Sequence, residues 1–408
     1  MPRQKPPLLF EAFFFLQIQM MLIRCCCSFF ATLVLFSATV LAQTSSSPLS
    51  DPEATPETIR LYENLKLAAK HRLLYGQMRA FSRGKHAPNA KEREANPLDL
   101  KSDTLALVGK NPAVVEFGLH LYDDYEFWQT IAPELHRRGI LISLSAHSKN
   151  PDLEVPHNNS HKSNEGDPVT KVLDRDSADH REYMKVLRRY GEFIRGLKDD
   201  QGRPIPVLFR PYHEHTGGWF WWGTRTCTPE QYNELWKMTI DFLRDEMDLH
   251  NLILVISPSK PTTRERFLSR FPGEDYVDVY AFDSYAYDDG PEVLLECSRV
   301  VVELAREDGK VAAITEFGYK NGLTNETAAD HYSRMFLDNI KNDPVAHEVA
   351  YALTWFGNDS DDGGSNWSPY KDEPMTKHIY PDFVEFSEDP WTVFEGDLPN
   401  LYTFEANR

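Results

Sequence analysis

Apolar residues fall along this chain in short solid runs, separated by longer stretches in which they recur every three or four positions. The runs are Leu73–Gly76, Ala113–Phe117, Ile140–Ser145, Val207–Arg210, Leu252–Ser257, Val277–Phe282, Val311–Thr315 and Val349–Trp355. They show little period-two alternation, which suits strands covered on both faces, as in a parallel sheet wrapped by helices. Between them the helical period is clear. Over 180–197 it places Tyr183, Val186, Leu187, Tyr190, Phe193 and Ile194 on one face. Another helix is predicted to start at Thr228, with Pro229 in its first turn and Gln231 completing a capping box. Strands alternating with helices through 57–408 predict a single (β/α)8 TIM barrel. The rival on pattern alone is an open doubly wound sheet, and the absence of a Gly-rich loop after the first run counts against it.

The ends read differently. Residues 1–42 carry a leader pattern: Met21-Leu-Ile-Arg24, an apolar stretch from Phe29 to Leu41, and small residues before Gln43. We expect a signal peptide, with Met21 as the working start, and hence a secreted protein. The apolar stretch is too short to predict a permanent membrane span. Residues 43–56 are rich in Ser, Thr and Pro and are expected to be a linker. Removing the leader leaves Cys227 and Cys297, which leaves open one bridge or two separate thiols.

Composition narrows the partners. The formal charge is −18, and an acidic surface does not suit nucleic acid, whose phosphates need clustered Lys and Arg. A neutral polymer is indifferent to that field, and the charge favours a soluble monomer. His147, His157, His161, His213 and His215 follow no ligand spacing, so no metal is expected.

The chemistry concentrates after two strands. Pro206 to Gly223 reads PVLFRPYHEHTGGWFWWG, an apolar strand leading to Arg210, His213 and Glu214 and then to a cluster of tryptophans. Glu316 ends a second strand, Val311-Ala-Ala-Ile-Thr-Glu316-Phe-Gly. In a barrel the site lies at the strands' C-terminal ends, and the fourth and seventh strands lie nearly opposite each other. Two facing carboxyls are what glycoside hydrolysis requires, and flat rings stack on the apolar faces of sugars. Ser148 to Asp179 is polar throughout and predicts a loop walling that cleft. Trp221 and Trp222 suit either sugar contact or packing beneath the rim. Arg210 is expected to brace Glu316 or its neighbours by charge.

The run from Phe209 to Gly223 resembles the acid/base signature of glycoside hydrolase family 26, and Ile314-Thr-Glu316-Phe-Gly resembles that family's nucleophile motif. The resemblance runs from Leu73-Leu-Tyr-Gly-Gln77 through Asp283-Ser-Tyr285 and Ala352-Leu-Thr-Trp355 to Asp397-Leu-Pro-Asn400. It implies a (β/α)8 fold, a retaining endo-β-1,4-mannanase acting on mannan polysaccharides and manno-oligosaccharides, and no cofactor. Residue by residue it implies Glu214 as acid/base and Glu316 as nucleophile. His213 and His147 would line the cleft. Trp219 would stack on sugar near the cleavage point, and Trp355 would form a platform beneath it; Trp222 is expected to touch sugar from its place in the tryptophan cluster, not from the resemblance. Asp283 and Tyr285 would form a pair after the sixth strand, with the tyrosine on the nucleophile. Strand two departs from the pattern: it reads Val115-Glu-Phe-Gly118, where a Gly-x-Asp is usual in the family. Other β-glycanase activities of the family, and a catalytically silent carbohydrate-binding barrel, are the alternatives. The retained pair of acids weighs against the last.

Overall fold

A computed structural model of the protein describes residues 47–155, 163–285, 290–357 and 366–405. The expected leader, with Cys25 to Cys27, lies outside the described residues. So do His157 and His161.

All eight predicted strands are present: β1 Leu73–Met78, β2 Val114–Gly118, β3 Leu141–Ala146, β4 Val207–Pro211, β5 Leu252–Ile256, β6 Val279–Ser284, β7 Val311–Phe317 and β8 Val349–Thr354. Each pairs in parallel with the next, and β8 returns to β1 through Leu74 and Tyr351. The sheet therefore closes into a barrel ringed by helices. Every strand residue is buried, the physical reason for the solid apolar runs.

The helix boundaries follow local chemistry. The helix Ala178–Gly196 buries Tyr183, Leu187, Tyr190, Phe193 and Ile194, starting two residues earlier than the apolar period. At Pro229–Asp241 the capping box forms as expected: Gln231 N–H donates to Thr228 Oγ1 at 3.2 Å, and Thr228 N–H donates to Gln231 Oε1 at 2.9 Å.

The expected linker is corrected over its described part. Residues 47–55 lie against the barrel: Leu49 is buried, Ser50 N–H donates to Asp278 Oδ1 at 2.6 Å, and Asp51 pairs with His250 at 2.9 Å. Ser and Pro there serve turns and caps, and Thr55 caps the helix Pro56–Ala69. A short strand absent from the sequence reading, β9 (Thr392–Val393), pairs with β1. Around it Phe386, Phe394 and Tyr75 pack ring against ring. Cys227 and Cys297 are buried, separate thiols. Among the described residues no helix is long and apolar enough to cross a membrane.

Candidate active site

Strand ends place the chemistry. Glu316 lies within the last residues of β7, and Glu214 lies three residues beyond β4. The chain leaves β4 through a turn in which Tyr212 and Glu214 both take left-handed backbone angles, φ 50° and 53°. Such angles are uncommon for residues with a Cβ and cost on the order of 1 kcal/mol or more each. Local bonds hold the turn: Glu214 N–H donates to Ser257 O at 2.7 Å, and Trp222 Nε1–H donates to His213 O at 2.8 Å. The turn aims Glu214 into a cavity of about 970 Å³ that Glu316 also lines.

The two carboxyls have unlike surroundings. Glu214 Oε2 accepts a hydrogen bond from Trp219 Nε1 at 2.7 Å. Burial, and then the neighbouring Glu316 charge, push its carboxyl up to about 8. Glu316 Oε1 accepts from Arg210 at 2.9 Å, and its Oε2 accepts from the Tyr285 hydroxyl at 2.6 Å. Burial raises Glu316 too, but the Arg210 guanidinium and the Tyr285 hydroxyl stabilise its anion. Only Glu316 has a cation on its oxygens, so it ionises first, and its charge then keeps the proton on Glu214.

Around the pair, the cleft is lined by His147, His213, Trp219, Tyr285 and Trp355. Trp219 is 42% exposed, a flat ring open to solvent. His213 is buried, and burial, followed by His147 and Arg210, holds its imidazole well below its usual pKa, so it is neutral. Asn164, from the predicted polar wall, also lines the cleft and donates to Gly218 O at 2.7 Å. Arg210 braces Glu316, as expected from its position.

Two expected substrate contacts are not on the cleft. Trp222 has 0% exposure and stacks behind Phe220 with centroids 4.4 Å apart, so Phe220 presents its ring to the cavity instead. Asp283 lies inside β6, wholly buried. Its Oδ2 accepts from Arg210 at 3.0 Å and its Oδ1 from Thr315 at 2.6 Å. It belongs to the charge network beneath the site. Trp221 is likewise buried, donating to Ser148 O at 3.0 Å.

Other residues were missed. His120 lines the cleft beside His147, with ring centroids 5.1 Å apart, and Phe356 and Trp367 extend the aromatic wall from Trp355. Glu116, the departure in strand two, is buried with Arg210, at 2.6 Å from Nη2 and 3.1 Å from Nε. The available signal was a lone charge inside an apolar parallel strand. Among the described residues no group of three His, Cys, Asp or Glu is placed to hold a metal ion.

Comparison with known proteins places this geometry. Over 407 aligned residues the chain is 26% identical to the mannan endo-1,4-beta-mannosidase of Bifidobacterium adolescentis, covering 89% of this chain. The chain spans only 39% of that protein's length. A solved endo-beta-1,4-mannanase from Cellulomonas fimi superposes with a TM-score of 0.77 at 27% identity, covering 88% of this chain and 80% of that one. A beta-mannanase structure from Bacteroides ovatus gives 0.75 at 29% identity, covering 87% and 99%. The model of Glycosyl hydrolase family 26 matches residues 50–357, a span that contains both acid-bearing strands and all of the cleft lining named above except Trp367. By that match this chain belongs to glycosyl hydrolase family 26.

Proposed function

We propose that the protein is an exported, retaining endo-β-1,4-mannanase that hydrolyses internal bonds of mannan, glucomannan or galactomannan. The observation that carries this reading is the unlike environment of two acids in one cleft: Glu214 bonded to the Trp219 indole with its carboxyl pushed up, Glu316 held between the Arg210 guanidinium and the Tyr285 hydroxyl. In such an arrangement Glu316 attacks the anomeric carbon while Glu214 gives its proton to the departing glycosidic oxygen. Water then enters, Glu214 takes its proton, and the glycosyl–Glu316 bond breaks, so the anomeric configuration is restored. Trp219 and Trp355 offer ring faces for stacking, and neutral His213 offers hydrogen bonding near the reacting sugar. The relatives' activity as mannanases favours mannan, and the leader-like residues 21–42 favour export.

The experiment is incubation with soluble galactomannan, following reducing ends and, by proton NMR, the first-formed anomer. Short manno-oligosaccharides that appear as the β-anomer are expected. Release only from xylan or mixed-linkage glucan would overturn the substrate, and a first-formed α-anomer would overturn the mechanism.

A further inference from the structure

Beneath the cleft a single guanidinium serves three carboxylates brought in on three other strands. Arg210 on β4 has five N–H groups, and the geometry has a partner for each. Nε donates to Glu116 Oε2 at 3.1 Å and Nη2 to Glu116 Oε1 at 2.6 Å, so Glu116 takes one edge of the guanidinium by two parallel bonds. The other N–H of Nη2 goes to Glu316 Oε1 at 2.9 Å. Nη1 reaches Asp283 Oδ2 at 3.0 Å and Ser257 Oγ at 3.2 Å. Ser143, the register partner of Glu116 on β3, donates to Glu116 Oε2 at 2.8 Å and fixes that carboxylate in turn. Arg210, Glu116 and Asp283 have no exposed surface.

The consequence concerns the nucleophile. A carboxylate held by both N–H groups of a guanidinium edge is strongly stabilised as an anion, and a stabilised anion attacks poorly. Glu316 avoids that because the two-bonded edge belongs to Glu116. We propose that Glu116 is a positioning residue for the glycosidic reaction: by occupying the bidentate edge of Arg210, it leaves Glu316 held through one N–H and therefore reactive. This role rests on Glu316 being the nucleophile of the proposed function.

The test reads the titration of Glu316. The charged and titratable groups around it come from several strands: Glu116 on β2, Arg210 on β4 with His213 and Glu214 beyond it, and Asp283 on β6 with Tyr285 beyond it, while Tyr351 on β8 faces Glu116, Arg210 and Asp283. In Glu116→Gln all but the first are kept, and Arg210 is free to turn its edge onto Glu316. On an activated aryl β-mannobioside, the acid limb of kcat/KM is expected to move down by about half a pH unit or more. Alongside it, kcat should fall about tenfold with KM little changed. Glu116→Asp keeps the carboxylate one methylene further back and should move the limb the same way by less, with part of the rate restored. If the Gln variant does not fold, the Asp variant decides. An acid limb at the wild-type position in a folded variant overturns the proposal, even if the rate has fallen. Failure of the proposed substrate would show separately, in the unmodified enzyme, and the same profile can then be read on whichever β-glycan is cleaved. A parent protein that cleaves none would sink both readings together.

Discussion

The indole N–H of Trp219 donates to Glu214 Oε2 at 2.7 Å, so an exposed ring also touches the half-buried acid. This bond favours the carboxylate form and partly offsets the upward push of burial and of Glu316. Trp219→Phe keeps a stacking ring and deletes the donor. With the carboxyl already pushed up to about 8, the basic limb of kcat/KM should therefore lie higher in this variant than in the wild type, while affinity changes little. Trp219→Ala should weaken affinity for every β-linked substrate the enzyme accepts. An unmoved basic limb in the Phe variant would show that the bond does not set the acid's proton affinity.

Glu214 and Glu316 should fail differently. Glu316→Ala should abolish turnover on every substrate. Glu214→Ala should retain activity on activated aryl glycosides, whose leaving groups need little protonation, and azide should rescue it through the glycosyl-enzyme. Equal losses on good and poor leaving groups would reverse or remove the assignment.

Glu214 also bears on stability. Its folded pKa is raised, so the folded state keeps a proton that the unfolded chain has released once the pH exceeds about 4.5. The stability it contributes is fully present below that pH and is lost as the pH climbs through about 8. Glu214→Gln is neutral throughout and escapes this loss. The Tm of the Gln variant should pull ahead of the wild type as the pH rises across that window. Parallel Tm curves would contradict the shift.

His213 is neutral and faces the cleft. Mannose differs from glucose by its axial 2-hydroxyl, where hydrogen bonds strengthen in the transition state. His213→Ala should lower kcat/KM on mannan by about 100-fold, roughly 2.7 kcal/mol, without displacing the limb set by Glu214. A near-normal value would place the C2 contacts elsewhere, His120 and His147 being next along the wall.

Burial raises both thiols among the described residues, Cys297 to about 12. In native protein, Cys227 and Cys297 should resist alkylation at neutral pH, and reductant should leave Tm unchanged. Peptide mapping by mass spectrometry before and after denaturation checks this; a bridged pair would appear as a reductant-dependent Tm.

The barrel was legible because parallel strands buried on both faces must be written in apolar runs, and few folds alternate eight of them with helices. Glu214 and Glu316 were legible because they stand where those runs stop. The network under them was not. Glu116, Arg210, Asp283 and Glu316 come from four strands spread over 200 positions, and nothing local says that one guanidinium joins them. Nor could a run of aromatics declare its directions. Trp219 stands in solvent while Trp222, three residues on, is sealed behind Phe220, a difference made by the turn and invisible in composition. Residues 47–55 misled for a related reason: polar turn residues also dress a packed strap, and the partners Asp278 and His250 lie far along the chain.

The pairing of β1 with β8 and β9 sets an order of events during synthesis. Leu74 meets Tyr351 and Val393, so the first strand to leave the ribosome has neighbours among the last. Until they emerge, β1 pairs on one side only, with β2, and shows an unsatisfied edge on the other. The ring cannot close progressively, blade by blade, as a repeat protein can. A chain cut short before β8 is therefore not a smaller enzyme but an open, adhesive sheet, and the last sixty residues act as the clasp that makes the cleft possible at all.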